Sequence, residues 1–475
     1  MKKQISIIFF FVGLLSFSQQ KQWTLEECVN YAIENNISIQ QSELDVKSAE
    51  INKKDALGNY LPSLNASGTH SWNIGLNQNI TTGLLQNQTT QFTSFGVSSN
   101  VVLYSGLQNL NTMHKAKLAL LASQYQLGKM QDDISLFIVN SFLQIVFNKE
   151  QLKVLQLQNQ ITKENLDRTK ELVDAGVLPE GDKLEVMATD ASEQQQIIAA
   201  ENALFISKLS LAQTLQIEDY RNFEVTDNFD YMISDDVLNN DAETIVEKAK
   251  EVVNDVKIAE ANKELAEYDL KISKGALQPT LTGFYGYDTR ASYSDQIVGS
   301  EVDPDNPTRI IGVVEGTGEN VITPNYRTII GGPDNLFDQF AVNDGHNFGI
   351  QLRIPIFNGF SLSNNVQRNK VNLERTNYQL EQAELDLEAS VYQAYYDAKS
   401  AKKSYEAAIK TEEARKLAFD YSRERYNVGL INAFDFNQSK VQYENSQSEL
   451  LRSKYDYLFK IKVLEYYFGI PITQL

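Results

Sequence analysis

The most constraining feature of this sequence is a long run, Phe360 to Val428, that contains no glycine and no proline. At about 1.5 Å of rise per residue, a helix of this length would be roughly 100 Å long, far beyond the helices of an ordinary globular domain. The run stops at Gly429, and glycine readily adopts the left-handed conformation that closes a helix. A second proline-free helical pattern then extends to Phe468. The sequence therefore predicts a helical hairpin with a sharp tip.

Apolar and small residues recur along this run at spacings of four and three, which is the pattern of a coiled-coil seam. The seam positions are Leu387, Val391, Ala394, Ala398, Ala401, Tyr405 and Ala408. Because alanine is small, its frequency in the seam implies that the backbones of the packed helices approach closely. We expect the long helix to be buried along this stripe.

The same hairpin occurs earlier in the chain at a constant offset of 253 residues, so that Gly429 corresponds to Gly176 and Asp435 to Asp182. The seam is matched by Ile134, Ile138, Ser141, Ile145, Asn148, Leu152 and Leu155. Farther upstream the offset falls to 217, because Pro279 corresponds to Pro62, and the second copy therefore carries 36 extra residues. We interpret the chain as an internal duplication.

Strictly alternating apolar and polar residues precede each long helix. They occupy residues 64–76 and 94–103 in the first copy and residues 281–287 and 348–356 in the second. Alternation predicts strands with one apolar face, and each run approaches the 9 to 11 residues of a tilted membrane strand. A soluble sheet packed on one side is the alternative. Four strands cannot close a barrel and an open edge cannot face lipid, so several chains must contribute, and three copies would supply twelve strands.

These patterns divide the chain into four parts. Residues 1–18 combine Lys2 and Lys3 with an apolar run and a small-residue border, which predicts a secretory signal peptide, with a retained membrane anchor as the alternative. Residues 19–217 form the first repeat, 218–240 a connecting segment, and 241–475 the second repeat with a longer loop at 291–347. Each repeat should start with one further helix, at 25–57 and 241–274. The two shorter helices of each repeat, stacked end to end, match the length of its long one.

The composition argues against several classes of protein. A net charge of −19 disfavours nucleic acid as a partner. The only cysteine, Cys28, excludes an internal disulfide and a cysteine metal cluster, so we expect a packing role. The three histidines are scattered, and neither a phosphate-binding loop nor a nucleophile elbow is present. Acidic residues in the 291–347 loop could bind calcium, but a solvated loop is the favoured reading. We therefore predict no enzyme, no cofactor and no metal site.

The duplicated order of strand, strand, long helix and returning helix resembles TolC-type outer membrane efflux proteins. The strand borders Leu61–Leu64 and Ile354–Gly359 and the tip Tyr426–Leu430 carry the resemblance. It implies an α+β membrane protein in which a long α-helical coiled-coil barrel continues into a transmembrane β-barrel, with four strands per chain and twelve in a homotrimer. It also implies an outer membrane location in a Gram-negative bacterium, in contact with lipid, with the helical barrel in the periplasm.

The function that follows from the resemblance is that of an exit duct in a tripartite efflux or type I secretion system. Substrates would reach it from a periplasmic adaptor and an inner-membrane transporter, which would supply the energy. Drugs, metal ions and polypeptides all pass through members of this family. Two alternatives are a periplasmic adaptor, which would show one hairpin and no bilayer-length strands, and a secreted coiled-coil scaffold without a pore.

The resemblance also assigns roles to residues at the two tips. Asp182 and Asp435 correspond to the aspartates of the narrowest ring, and Tyr426 to a tyrosine that latches the entrance. The tips that dock the adaptor correspond to Gly176, Val177, Leu178, Gly429, Leu430 and Ile431. A carboxylate ring would favour cations, although each aspartate also simply suits a helix N-terminus. Ile431 replaces the arginine of the family latch and Gln438 a second aspartate, which predicts a looser or more apolar closure.

Overall fold

A computed structural model describes residues 21–78, 83–226 and 236–470. The predicted signal peptide and part of the connecting segment lie outside the described residues. The chain divides into two compact units. Of the described residues, the helical unit comprises 21–51, 117–226, 236–266 and 372–470, and the β unit comprises 52–78, 83–116 and 267–371.

The helices match the duplication inferred from the sequence. They are α1 (Leu25–Asn35), α2 (Ile37–Gly58), α3 (Gln108–Asp174), α4 (Glu180–Thr214), α5 (Ala242–Val252), α6 (Asn254–Gly275), α7 (Leu336–Val342), α8 (Ser361–Asn427) and α9 (Ala433–Phe468). The two long helices, α3 and α8, have 67 residues each and are offset by the predicted 253 positions. The pairs α1 with α5 and α2 with α6 have equal lengths and follow the offset of 217.

Two helices that the sequence predicted to be continuous are broken in the structure. The prediction for residues 25–57 was wrong because Asn36 is extended (φ −66°, ψ 130°), and the prediction for 241–274 was wrong because Val253 is extended as well. The Asn36 amide donates to the carbonyl of Thr214 at 3.0 Å and accepts from the backbone of Ser38 at 2.9 Å. This side chain therefore satisfies backbone groups that a helix break leaves without partners.

The seam of α8 is buried as predicted. Val391 and Ala398 are fully buried, and Leu387, Ala394 and Ala401 are nearly so. They form one hydrophobic core with Ile245 of α5 and Ile461 of α9. A second core of the helical unit gathers residues of α1, α3, α4 and α9. The packing role expected for Cys28 is confirmed, since its thiol is fully buried in this second core and burial raises its pKa to about 12.

The strands are β1 (Gln22–Trp23), β2 (Ser63–Gln78), β3 (Leu85–Ser105), β4 (Glu224–Val225), β5 (Thr280–Ser292), β6 (Gln296–Val302), β7 (Thr308–Val313), β8 (Asn320–Pro324), β9 (Tyr326–Gly331) and β10 (Gly345–Arg353). In the β unit, four of them form an antiparallel sheet in the order β10-β5-β3-β2. The two predicted hairpins are therefore present and lie side by side. The last strand starts and ends three residues earlier than predicted, and it stops at Arg353, before Pro355, which has no backbone N–H to donate.

The extra residues of the second repeat are more ordered than their composition indicated. We expected an irregular loop at 291–347. This prediction was wrong, because β6 pairs with β9 and β7 pairs with β8 within the segment. Short runs of isoleucine and valine supply the strand preference that the surrounding proline and glycine residues concealed. The short helix α7 packs on β5, where Thr289 donates to the carbonyl of Phe340 at 2.9 Å.

Candidate functional site at the hairpin tips

Both long helices end in the same backbone turn. Gly176 and Gly429 adopt left-handed conformations, with φ of 72° and 76°. In each tip the N–H of the following residue donates to the carbonyl five residues earlier at 2.8 Å, which is the Schellman closure of a helix. A Cβ atom at either glycine would meet nothing within 4 Å, so the backbone conformation alone requires glycine. Three side chains around these turns, Val177, Val428 and Leu430, are exposed.

The returning helices begin differently in the two tips. In the second tip the side chain of Asn432 caps α9 by accepting from the backbone N–H of Asp435 at 2.8 Å. In the first tip Pro179 occupies the same place before α4 and makes no side-chain cap. Asp182 and Asp435 each lie in the first helical turn, where a carboxylate interacts favourably with the positive end of the helix dipole.

One cleft of about 590 Å³ between the two tips brings together eight of the nine residues singled out from the sequence. They are Asp182, Asp435, Tyr426, Val177, Leu178, Gly429, Leu430 and Ile431. Gly176 does not line this cleft. The structure thus places two carboxylates, an aromatic ring and four aliphatic side chains on one concave surface, while the roles assigned to them by resemblance stay predictions.

Tyr426 is held within the second hairpin by aromatic stacking. Its ring lies parallel to that of Phe436, with 4.7 Å between centroids and 13° between planes. Phe436 in turn contacts Phe419, which stacks on Tyr443 at 5.5 Å. The ladder fixes the orientation of Tyr426, because such offset stacks contribute favourable energy beyond the area they bury.

Arg168 lines the same cleft and was not identified from the sequence. Its guanidinium donates to the side-chain oxygen of Asn427 at 2.6 Å and to the carbonyl of the same residue at 3.3 Å. Asn427 is the last residue of α8, where carbonyl groups lack helical partners and attract a cation. An arginine of the first hairpin therefore binds the end of the long helix of the second hairpin. The duplication gave no signal for it, since Tyr421 occupies the equivalent position of the second repeat.

The remaining candidate groups lie apart from this cleft. His114 stacks on Tyr268. His70 makes a hydrogen bond with Thr93, and His346 makes one with Tyr285. Among the residues that the structure describes, no three His, Cys, Asp or Glu side chains are grouped so as to hold a metal ion. Over the same residues, no helix combines the length and the apolar character that a transmembrane helix needs.

Comparison with known proteins supports this description. The family model of outer membrane efflux proteins matches residues 28–215 and 245–465. Among solved structures, the outer membrane channel CmeC of Campylobacter jejuni matches with a TM-score of 0.76 at 16% identity, over 94% of this chain and 85% of that one. CusC matches with a TM-score of 0.74 at 15% identity, over 96% of this chain and 95% of that one. The outer membrane protein VceC of Vibrio cholerae matches with a TM-score of 0.71 at 13% identity, over 94% of this chain and 96% of that one. No curated protein matches the sequence.

The fold and the duplicated hairpins define a channel protein with a helical domain and a β domain, and the matched structures share this fold. The chain belongs to the outer membrane efflux protein family. Both the family predicted from the sequence and its function as an efflux exit duct are confirmed, and the adaptor and scaffold alternatives are disfavoured.

Proposed function

We propose that three copies of this chain form a duct in the outer membrane of a Gram-negative bacterium, with the helical units in the periplasm. In this assembly the duct receives its cargo from a periplasmic adaptor and an inner-membrane transporter, in a tripartite efflux or type I secretion system. The family supports the location, and the β unit and the tips supply the physical reasons for the assembly.

We propose a trimer because the four-stranded sheet is open at both edges. Its two edge strands, β2 and β10, have no strand partner on their outer sides within the described residues. Apolar side chains on both strands are exposed in the single chain, among them Ile74 (82%) and Phe348 (80%). Unpaired backbone groups are costly in lipid, so the sheet needs further strands on both edges. Three copies provide twelve strands, enough to close the sheet, and leave the apolar side chains facing lipid.

The tips form the entrance in this proposal. Exposed Val177, Val428 and Leu430 offer an apolar surface to the adaptor, while Asp182 and Asp435 put carboxylates in the cleft beside it. With three copies, six carboxylates would surround the axis and favour cations. The bonds from Arg168 to Asn427 join the two hairpins near the tips and take the place of the latch that Ile431 does not make.

Single-channel recording of the purified protein in planar lipid bilayers tests this function, with the oligomeric mass measured in the same detergent. We expect a trimer with a small, cation-preferring conductance. Combined Asp182→Asn and Asp435→Asn substitutions should shift the reversal potential in a salt gradient towards zero. The control is Asp386→Asn, which neutralises a carboxylate on α8 away from the tip cleft and should leave the reversal potential unchanged. A monomer that needs no detergent and conducts no current would contradict the duct.

A further inference from the structure

A charged cluster is buried between the two hairpins, away from the tip cleft. The side chain of Lys440 on α9 is 4% exposed, and its ammonium lies 2.7 Å from a carboxylate oxygen of Glu193 on α4 and 3.0 Å from one of Glu444. It also donates to the hydroxyl of Thr162 on α3. The ammonium is therefore held by two hydrogen bonds and one further ion pair. An unpaired ammonium would be expensive at this depth, so the contacts are a condition for burying the lysine.

The carboxylate of Glu193 also accepts hydrogen bonds from two residues of α3. It accepts from the Thr162 hydroxyl at 2.8 Å and from the Asn159 amide at 3.1 Å. Side chains from α3, α4 and α9 thus meet in one network, which we call the Lys440 cluster (Asn159, Thr162, Glu193, Lys440 and Glu444). Since α3 and α4 form the first hairpin and α9 belongs to the second, the cluster joins the two hairpins within one chain.

Other bonds between α3 and α9 are also polar. The Gln158 amide donates to the side chain of Gln447 at 3.0 Å, and the Gln151 amide donates to Ser448 at 2.9 Å. Such groups exchange their bonds for bonds to water when the helices separate, so the net cost of parting them is small. An interface of leucine and valine would instead expose apolar surface. Parting the hairpins at these contacts therefore costs less than parting a wholly apolar interface would.

The buried ion pair makes the separation all-or-none. Opposite charges that are parted while still dry lose their attraction without gaining hydration, which costs several kcal/mol. Two arrangements avoid this cost, one packed and dry and the other parted and hydrated. Clefts flank the cluster on two sides, one of about 350 Å³ lined by Lys440 and Glu444, and one of about 610 Å³ lined by Glu193 and Glu444. Water therefore has a short path to both charges.

We infer that the Lys440 cluster is a lock between the hairpins, which holds the entrance closed while dry and releases it when water enters between Lys440 and Glu193. This inference rests on the proposed duct and adds a positioning role for residues outside the tip cleft. Lys440 acts through the placement of the second hairpin and does not itself line the cleft between the tips.

The test is single-channel conductance of variants at the ion pair. Lys440→Met removes the ammonium and keeps an unbranched apolar chain, so that Glu193 remains buried without its cation. We expect the open-channel probability to rise about tenfold or more, because the closed state now carries an uncompensated charge. Glu193→Gln should give a smaller rise, since Lys440 keeps Glu444. Glu193→Gln is the more conservative of the two substitutions. Both variants should keep the oligomeric mass of the wild type.

The triple variant Lys440→Met, Glu193→Met and Glu444→Met, which removes the cation and both of its carboxylate partners, distinguishes a lock from a merely structural cluster. Once Glu193 is replaced, the Thr162 hydroxyl can donate to the carbonyl of Gln158 at 3.2 Å, and Asn159 still donates to Asp190 at 2.8 Å, so both donors keep a partner. Where the ion pairs stood, the interface is then apolar and holds no charge for water to hydrate. We expect an open probability below that of the wild type, opposite in direction to the single variant.

The matched control is Lys183→Met, which removes a lysine paired with Glu180 inside the same helix, α4, and should leave the open probability unchanged. A triple variant that opens as readily as Lys440→Met would overturn the lock and leave only a role in packing. Single variants that conduct like the wild type would overturn it as well. A wild-type protein that forms no channel would overturn the proposed duct first, and the lock with it.

Discussion

The two hairpins share one backbone design and carry different side chains. The hairpin of α3 and α4 and the hairpin of α8 and α9 have long helices of equal length and the same left-handed glycine closure. At equivalent positions, however, the first has Arg168 where the second has Tyr421, and Pro179 where the second has the capping Asn432. The duplication kept the glycines that shape the turn and the aspartates of the cleft, while Arg168 and the cap of the returning helix differ. The shared glycines serve folding, and a residue found in one tip alone, such as Arg168, is the better candidate for a contact that joins the two hairpins.

The interiors of the two hairpins differ in the same way. The second contains the aromatic ladder of Tyr426, Phe436, Phe419 and Tyr443. The positions equivalent to Phe436 and Tyr443 in the first hairpin are Lys183 and Asp190, and Asp190 accepts from Asn159 at 2.8 Å. The aromatic ladder gives the second hairpin packing of its own. A lock between the hairpins requires such internal packing, because the second hairpin has to move as one body.

The largest expected effect tests what the tips share. Gly176→Val and Gly429→Val each place a β-branched residue in a left-handed conformation, at a cost of about 1–2 kcal/mol. Because neither site would clash through its Cβ, the two losses should be equal. Hydrogen exchange of the tip amides measures them, and a loss of about 1.4 kcal/mol corresponds to tenfold faster exchange.

A glycine of the first tip that needs no left-handed conformation provides the control. Gly181 lies in α4 with open space around its Cβ position, and its φ is not in the left-handed range. Gly181→Ala should stabilise the start of α4 by about 0.5–1 kcal/mol. Unequal effects of the two valine substitutions would show that the turns differ in some way other than backbone conformation.

A smaller effect tests what the tips do not share. Arg168→Met removes the bonds to Asn427, and an exposed charged hydrogen bond of this kind contributes about 1 kcal/mol or less. We expect an open-channel probability up to about fivefold higher in planar bilayers, since these bonds join the hairpins at the entrance. Tyr421→Met changes the equivalent, exposed position of the second hairpin and should have no effect. Equal responses would remove the arginine from the closure.

The same division explains how much could be predicted from the sequence. The turns at Gly176 and Gly429 and the seam around Val391 depend on neighbours along the chain, so spacing and residue type were sufficient. The contact of Arg168 with Asn427 joins residues 259 positions apart, and it depends on which faces of two hairpins meet. The break at Asn36 likewise depends on a carbonyl of another helix. The sequence did contain a signal for Lys440. This residue follows Ala433 and Phe436 at helical spacing on the buried face of α9, and a lysine on a buried face requires a charged or polar partner.

The smallest effect concerns a carboxyl group on one repeat alone. Asp132 of α3 is partly buried, and its equivalent on α8 is the exposed Leu385. Burial raises the pKa of Asp132, and the nearby Asp133 and Asp255 act in the same direction, against hydrogen bonds from Asn254 and Tyr466. The folded protein therefore binds the proton of Asp132 more tightly than the unfolded chain does. The stability gained from this binding is full at acid pH and is lost as the pH rises through the raised pKa.

Asp132→Asn removes this titration while keeping an oxygen that accepts from Asn254. The difference in unfolding midpoint between variant and wild type should be near zero at about pH 3.5 and favour the variant at about pH 8. Because the group keeps contact with solvent, we expect a gain below about 1 kcal/mol. Leu385→Asn, the matched change on the second repeat, should shift the midpoint equally at both pH values. A pH-independent shift for Asp132→Asn would mean that packing, and not the buried charge, sets the cost at this position.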